Sequence, residues 1–294
     1  MKKVSILALL CAAVFTLGMA SCEEKPATPN EENNEQQPEE KPEPKPEQKP
    51  IPLPDIPKDV PACSISEFTN WQTHFADDDV IGDFSGLCFN KDRTGLIGVS
   101  NYQGRLYNIN FDGTRDEKEF LRTGKDLEGV TIDPETGIIY VCEEGGNYIW
   151  KVEEYDGEYV ATRVKFIKTS GDSNSGLEAI TYHDGYLYVA NQSPAALYIY
   201  SLEHGEVAHR YSARVIKECF SDLWFDTTNN TLWAVDAWGN EIVNFTVWGD
   251  YIARFKVPEV PWVEGICIDF ENNKAWFSCD STGQLFSADI VRNN

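Results

Sequence analysis

Several familiar chemistries have no foothold in this chain. It contains no Cys-x-x-Cys pair, which argues against a zinc site. No Gly-x-Ser-x-Gly elbow is present, so the strand-to-helix nucleophile of the α/β-hydrolases is missing. The four histidines, His74, His183, His204 and His209, share no motif with a nucleophile, and nothing points to a Ser-His-Asp triad. Basic residues are scarce: 25 Lys and Arg stand against 48 Asp and Glu, a formal charge of −23. Residues 1–60 hold 11 acids and 7 bases, so most of the excess belongs to the rest of the chain. That balance argues against nucleic acid or anionic lipid as a direct ligand and favours a cation site, if one exists.

Long apolar runs are also lacking, apart from Val4 to Leu17. That run follows the basic start Met1-Lys2-Lys3 and has the length of a signal peptide, short of a comfortable membrane span. Met19-Ala20-Ser21-Cys22 resembles a bacterial lipobox. The resemblance implies a signal peptide over 1–21 and a diacylated Cys22 holding the protein to a membrane. Cys22-Glu23-Glu24 resembles the acidic signal that sends some Bacteroidetes lipoproteins to the outer leaflet of the outer membrane. Residues 22–61 read as a lipidated cysteine followed by a disordered tether, because 11 of the 15 prolines lie between Pro26 and Pro61 among Glu, Lys, Gln and Asn. Such a segment buries too little apolar surface to offset its ordering entropy.

Residues 62–294 are long enough for one large domain. Six cysteines remain there: Cys63, Cys88, Cys142, Cys219, Cys267 and Cys279. An exported protein permits disulfides. Several of these lie in apolar strand runs, however, where a free Cys behaves as a small hydrophobe.

What the domain does have is a repeat. Phe84-Ser85-Gly86-Leu87, Leu127-Glu128-Gly129-Val130, Leu177-Glu178-Ala179-Ile180, Phe220-Ser221-Asp222-Leu223 and Val263-Glu264-Gly265-Ile266 align. Their second residues are spaced 43, 50, 43 and 43 apart. A period in the forties filled with short alternating strands marks a β-propeller blade. In the second copy, Leu127 to Asp133, Ile138 to Cys142, Tyr148 to Val152 and Val160 to Ile167 read as four strands, with turn chemistry at Asp133-Pro134-Glu135-Thr136-Gly137 and Asp156-Gly157. The last copy holds only three strands, while Ile65 to Phe75 reads as a stray strand ahead of the first. The expected fold is therefore all-β, a five-bladed propeller closed by that N-terminal outer strand. A six-bladed ring is the alternative, but the 50-residue interval before Glu178 is too short to hide another blade.

These five segments resemble the SdiA-regulated (YjiK-like) β-propeller family of bacteria, which carries them in the same order: Ser85, Glu128, Glu178, Ser221, Glu264. Ala179 and Asp222 depart from it, standing where the family usually has Gly. The resemblance covers about residues 63–292 and implies the fold rather than an activity. At the level of short motifs, a Glu-Gly start to the inner strand is also similar to the six-bladed gluconolactonase and paraoxonase propellers, which hold a channel calcium.

In a propeller the innermost strands surround a central channel. Glu128, Glu178 and Glu264 are thus candidates to approach one axis and hold a metal, with Ser85 and Ser221 completing the ring. The ends of the second strands offer a further ligand-binding set: Asn101, Glu143, Asn191, Asp236 and Asp280. Carboxylates and amides without His or Cys are hard oxygen ligands suited to Ca²⁺ or Mg²⁺, and Ca²⁺ is the cofactor expected here. The competing reading is that the repeated polar residue bonds its own or the next blade and pins blade to blade. Trp238 sits in a turn, where it would either stack on a flat ligand or cap the layer between blades.

Three functions remain open. The first is a binding module at the cell envelope, surface-exposed and anchored through Cys22, whose channel face takes a small molecule, glycan or protein. The sequence favours this over an enzyme. The second is a metal-dependent hydrolase of lactonase, esterase or phytase type. The third is a non-catalytic scaffold of an envelope complex.

Overall fold

The structure is a computed structural model that describes residues 49–75, 81–102, 104–116, 121–169 and 175–293. The stretch read as a signal peptide, Cys22, and the stretch read as a tether as far as Gln48 lie outside the described residues.

The chain forms five four-stranded antiparallel sheets arranged as a five-bladed propeller, with no α-helix among the described residues. Blade 1 comprises β2 (Phe84–Phe89), β3 (Gly95–Ser100), β4 (Arg105–Asn110) and β5 (Leu121–Arg122). Blade 2 comprises β6 (Leu127–Ile132), β7 (Ile139–Glu143), β8 (Tyr148–Tyr155) and β9 (Glu158–Phe166). Blade 3 comprises β10 (Leu177–His183), β11 (Tyr186–Asn191), β12 (Ala196–Ser201) and β13 (Glu206–Ser212). Blade 4 comprises β14 (Phe220–Asp226), β15 (Thr231–Asp236), β16 (Glu241–Thr246) and β17 (Tyr251–Lys256). Blade 5 takes β18 (Val263–Asp269), β19 (Lys274–Cys279) and β20 (Leu285–Arg292) from the C-terminus and β1 (Ile65–His74) from the N-terminus. β1 pairs antiparallel with β20, from Ile65 opposite Arg292 to His74 opposite Leu285. The ring therefore closes through the stray strand that the sequence places ahead of the first repeat, and closure removes the edges that an open sheet would expose.

Five apolar clusters fill the five blade-to-blade interfaces. Trp233 and Ile242 meet Ile266, Phe277, Ile65 and Phe68 between blades 4 and 5. Phe84, Leu87 and Phe89 meet Cys267 and Trp276 where blade 1 meets blade 5. Fully burying side chains of this size is worth about 1.5–3 kcal/mol each. All six described cysteines are free, and five of them are buried.

Within the stretch read as linker, residues 52–58 lie against blades 3 and 4. Ile56 is buried among Phe220, Leu223 and Phe245. Tyr186 Oη donates to the Pro52 carbonyl and Trp248 Nε1 to that of Pro57, both at 3.2 Å.

Candidate functional site

The inner strands β2, β6, β10, β14 and β18 begin at one end of the channel, the mouth. Each has a register shift there. Phe84 pairs Ser100 but Leu87 pairs Gly98, and Leu127 pairs Glu143 but Val130 pairs Val141. The same irregularity recurs after Leu177, Phe220 and Val263. A bulge re-aims the side chain it carries. In all five blades that side chain is the repeated Ser or Glu.

The third repeat position explains itself through backbone approach. A Cβ on Gly129 would stand 2.7 Å from the Ile180 nitrogen and 2.9 Å from the Ala179 Cα. One on Gly86 would stand 2.8 Å from the Glu128 carbonyl oxygen. Only glycine permits inner strands to pass this closely. Blade 4 replaces that glycine by the fully buried Asp222. Its Oδ2 accepts the backbone N–H of Ile266 at 2.9 Å and of Leu87 at 3.5 Å, linking blade 4 to blades 5 and 1. Burial nonetheless pushes its carboxyl up to about 8 against these hydrogen bonds.

The repeated polar residues form pairs between neighbouring blades. Ser85 of blade 1 hydrogen-bonds Glu128 of blade 2, helped by Asn101. The Ser221 hydroxyl of blade 4 donates to Glu264 of blade 5. Glu178 of blade 3 has no such serine: its Oε1 accepts from Gln192 Nε2 at 2.9 Å, and its buried Oε2 has no partner.

The second polar set is offset by one residue from the sequence expectation. In every blade the residue just past the second strand donates its N–H two residues upstream of the repeated Ser or Glu. The five bonds are Asn101 to Asp83, Glu144 to Asp126, Gln192 to Gly176, Ala237 to Cys219 and Asp280 to Trp262. Asn101 and Asp280 thus belong to the mouth set as expected. Glu143, Asn191 and Asp236 precede it by one and turn to the other side of their strands. Glu143 accepts from Trp150 Nε1 at 2.7 Å. Asn191 donates to the Pro194 carbonyl at 3.0 Å. Asp236 caps the backbone N–H groups of Lys217, Glu218 and Cys219 at 2.8–3.1 Å and pairs with Arg254. Trp238, on the 3₁₀ turn Ala237–Gly239, is 64% exposed and so caps no layer.

Two residues that the repeat pattern passes over, Asp126 and Glu144, join Glu128 in one cluster. One carboxylate oxygen from each lies within 4.8 Å of the others. Glu144 Oε1 accepts the Gly176 N–H at 3.2 Å, which places it at the start of blade 3 beside Glu178. Burial, and then Glu144 and Asp126, push the Glu128 carboxyl up to about 8 against the hydrogen bonds from Ser85 and Asn101. Burial likewise raises Glu178 well above the usual carboxylate range, with Glu128, Glu144 and Glu264 adding to it. Glu264 is raised by burial and by Glu128, and Asp280 by burial and by Asp83. The oxygen-only donor set and the unpartnered Glu178 Oε2 fit a hard divalent cation. A hollow of about 580 Å³ lies elsewhere, between turns of blades 1 and 2 near Lys91, Thr136 and Tyr155.

Comparison with known proteins agrees with the fold. No curated protein matches the chain. Glutaminyl cyclase of Myxococcus xanthus superposes with a TM-score of 0.56 at 15% identity, over 80% of this chain and 100% of that one. A chain of the nidogen/laminin complex superposes with a TM-score of 0.50 at 13% identity, over 73% of this chain and 80% of that one. At such identities these likenesses show the propeller alone. Residues 79–210, which include Asp126, Glu128, Glu144 and Glu178, match the sequence model of the phytase-like family, described as esterase-like activity of phytase.

Proposed function

We propose that this protein is an exported, envelope-bound binding protein, anchored to the outer membrane through Cys22 and facing outward, whose acidic mouth takes its ligand with the help of a divalent cation, Ca²⁺ first among them. The observation that carries the reading is the cluster of Asp126, Glu128 and Glu144, with oxygens within 4.8 Å of one another. Carboxylates gathered at this density repel one another, and a cation relieves the repulsion. Asp126, Glu128 and Glu144 would hold the ion, with Glu178 supplying a further oxygen. The ion would supply positive charge to polarise a ligand oxygen. Ser85 and Asn101 orient Glu128, and the Gly176 N–H orients Glu144.

Calorimetric titration of the EDTA-stripped protein with CaCl₂ tests this. Saturable uptake that Glu128→Gln weakens at least tenfold supports the reading; no uptake by the wild type refutes it. Retention of Cys22→Ala in the membrane fraction would sink the anchor.

The match over residues 79–210 favours a second reading, hydrolysis of a phosphate or carboxylate ester at the same mouth. Here Glu178, whose carboxyl is raised well above the usual carboxylate range chiefly by burial, is the candidate to hand a proton to a leaving group. Turnover of p-nitrophenyl phosphate or acetate that Glu128→Gln and Glu178→Gln both abolish would favour hydrolysis. Turnover that survives both substitutions would exclude this site.

A further inference from the structure

Two tryptophans stand where the cation reading has no use for them. Trp238 is 64% exposed and Trp262 49%, and neither belongs to any of the five apolar clusters. Trp262 occupies a defined place in the repeat, two residues ahead of Glu264. Blades 1 and 2 have Asp83 and Asp126 at that place. All three residues are left-handed, with φ of 50°, 60° and 60° for Asp83, Asp126 and Trp262. Aspartate tolerates that conformation, but a bulky aromatic residue there is an outlier. A half-exposed indole held in an unfavourable backbone state, at a position that elsewhere supplies Asp126 to the mouth, points to use rather than packing. The Glu264 carboxylate lies beside Trp262, whose indole N–H opposes the rise in the carboxyl pKa, which sets the ring at the mouth.

Trp238 is fixed to the same region. Asn240 closes its turn, and the Asn240 amide donates to the carbonyls of Val257 and Val260 at 2.8 and 3.0 Å. Asn240 Oδ1 accepts the Val263 N–H at 3.1 Å. One side chain thus ties the loop carrying Trp238 to the loop carrying Trp262. Both indoles ride on loops held by side-chain hydrogen bonds, and both leave much of their surface to solvent.

We propose that Trp238 and Trp262 form a stacking surface for a carbohydrate, which makes a glycan the ligand class of the mouth. The inference rests on the reading that the mouth is the binding face. An indole offers a flat apolar face to the C–H side of a pyranose. Asn101, Gln192 and Asp280 offer the amides and carboxylate that sugar hydroxyls bond. The acidity of the mouth argues against nucleic acid, whose phosphates it would repel. Two isolated indoles give too little apolar area for a stable protein interface. An organic cation would prefer an enclosed aromatic cage, whereas these rings stand on separate loops.

The test uses the full chain with 2 mM CaCl₂ and three soluble probes, a β-glucan, an α-mannan and a pectin, in affinity electrophoresis and tryptophan-fluorescence titration. At least one probe is expected to retard the wild type and change its fluorescence. Trp238→Ala, Trp262→Ala and Trp262→Asp are each expected to weaken that binding tenfold or more with no fall in melting temperature. The Asp variant copies blade 2 and relieves the backbone, so it guards against misfolding. No binding to any probe, or binding that all three variants retain, overturns the proposal. So does a fluorescence response to choline or spermidine in place of the polysaccharides. Calcium uptake without polysaccharide binding defeats this inference alone. Polysaccharide binding without calcium uptake defeats only the cation.

Discussion

Stripped of divalent ions, the protein is expected to lose stability as pH rises from 5 to 8, and Glu128→Gln is expected to remove a defined part of that loss. The Glu128 carboxyl titrates near 8 in the fold against an ordinary 4.5, chiefly because it is buried and secondarily because Glu144 and Asp126 adjoin it. Below 4.5 folded and unfolded chains both carry the proton, so the group is neutral to stability. Between 4.5 and 8 the unfolded chain releases the proton and the folded chain keeps it. Each pH unit then shifts the balance toward unfolding by about 1.4 kcal/mol, until the loss is complete above the folded value. From pH 5 to 7 this single group accounts for about 3 kcal/mol. For a domain of this size that corresponds to roughly 6–12 °C in melting temperature. Glu178 and Glu264 are raised as well, so the wild type falls further than Glu128 alone requires. Thermal unfolding followed by circular dichroism in EDTA, at pH 5, 6, 7 and 8, reads the effect. The variant should show the shallower curve, and saturating calcium should flatten the wild type. Parallel curves for the two proteins would refute the assignment of Glu128 as a proton-holding acid.

Substitutions at three further positions probe the ring. Gly129→Ala sets a Cβ 2.7 Å from the Ile180 nitrogen, backbone that cannot yield, and is expected to lose about 2–3 kcal/mol in urea unfolding; a neutral result would mean that β6 and β10 lie farther apart. Asp222→Ala strands the N–H groups of Leu87 and Ile266, at about 1–3 kcal/mol each. Asp222→Asn keeps an acceptor, removes the ionisable acid, and should melt above the wild type past pH 8, where the aspartate has lost its proton. Asp236→Ala removes the partner of three N–H groups and of Arg254, an expected loss of about 3–5 kcal/mol. Because Asp236 faces away from the mouth, calcium uptake by that folded variant should match the wild type.

The ring was legible because a blade is a repeat, and a repeat exposes its polar exceptions. Ser85, Glu128, Glu178, Ser221 and Glu264 stand out as polar residues inside apolar strands, and each sits on a bulge. The loop partners were less legible because side chains alternate along a strand, so a slip of one residue exchanges its two faces. Glu143-Glu144-Gly145-Gly146 places two acids side by side, and spacing alone cannot choose between them. The Glu144 N–H to the Asp126 carbonyl makes the choice. Asp126 itself carries no apolar periodicity. Its signal is a shared offset, two residues ahead of Glu128, as Asp83 is ahead of Ser85 and Trp262 ahead of Glu264.

Blade pinning and ligand binding need not compete for the repeated residue, because the ring has an odd number of members. In the order Ser, Glu, Glu, Ser, Glu, each serine can serve the glutamate of the following blade. Ser85 serves Glu128 and Ser221 serves Glu264, which pins blade 1 to 2 and blade 4 to 5. Glu178 follows another glutamate, so blade 2 offers it a second carboxyl instead of a serine hydroxyl. Glu178 is thus the one glutamate of the ring without a serine, and beside it the structure gathers Glu128, Glu144 and Asp126 and leaves Glu178 Oε2 without a partner. Replacing Glu128 by Ser would extend the pinning logic to blade 3. That substitution should bring Glu178 a hydroxyl donor and lower its carboxyl toward the ordinary range. If the two roles are divided as the pairing implies, Glu128→Ser should hold its melting temperature more nearly level from pH 5 to 8 and lose calcium uptake together. Retained uptake in a protein with that flattened profile would place the cation elsewhere on the ring.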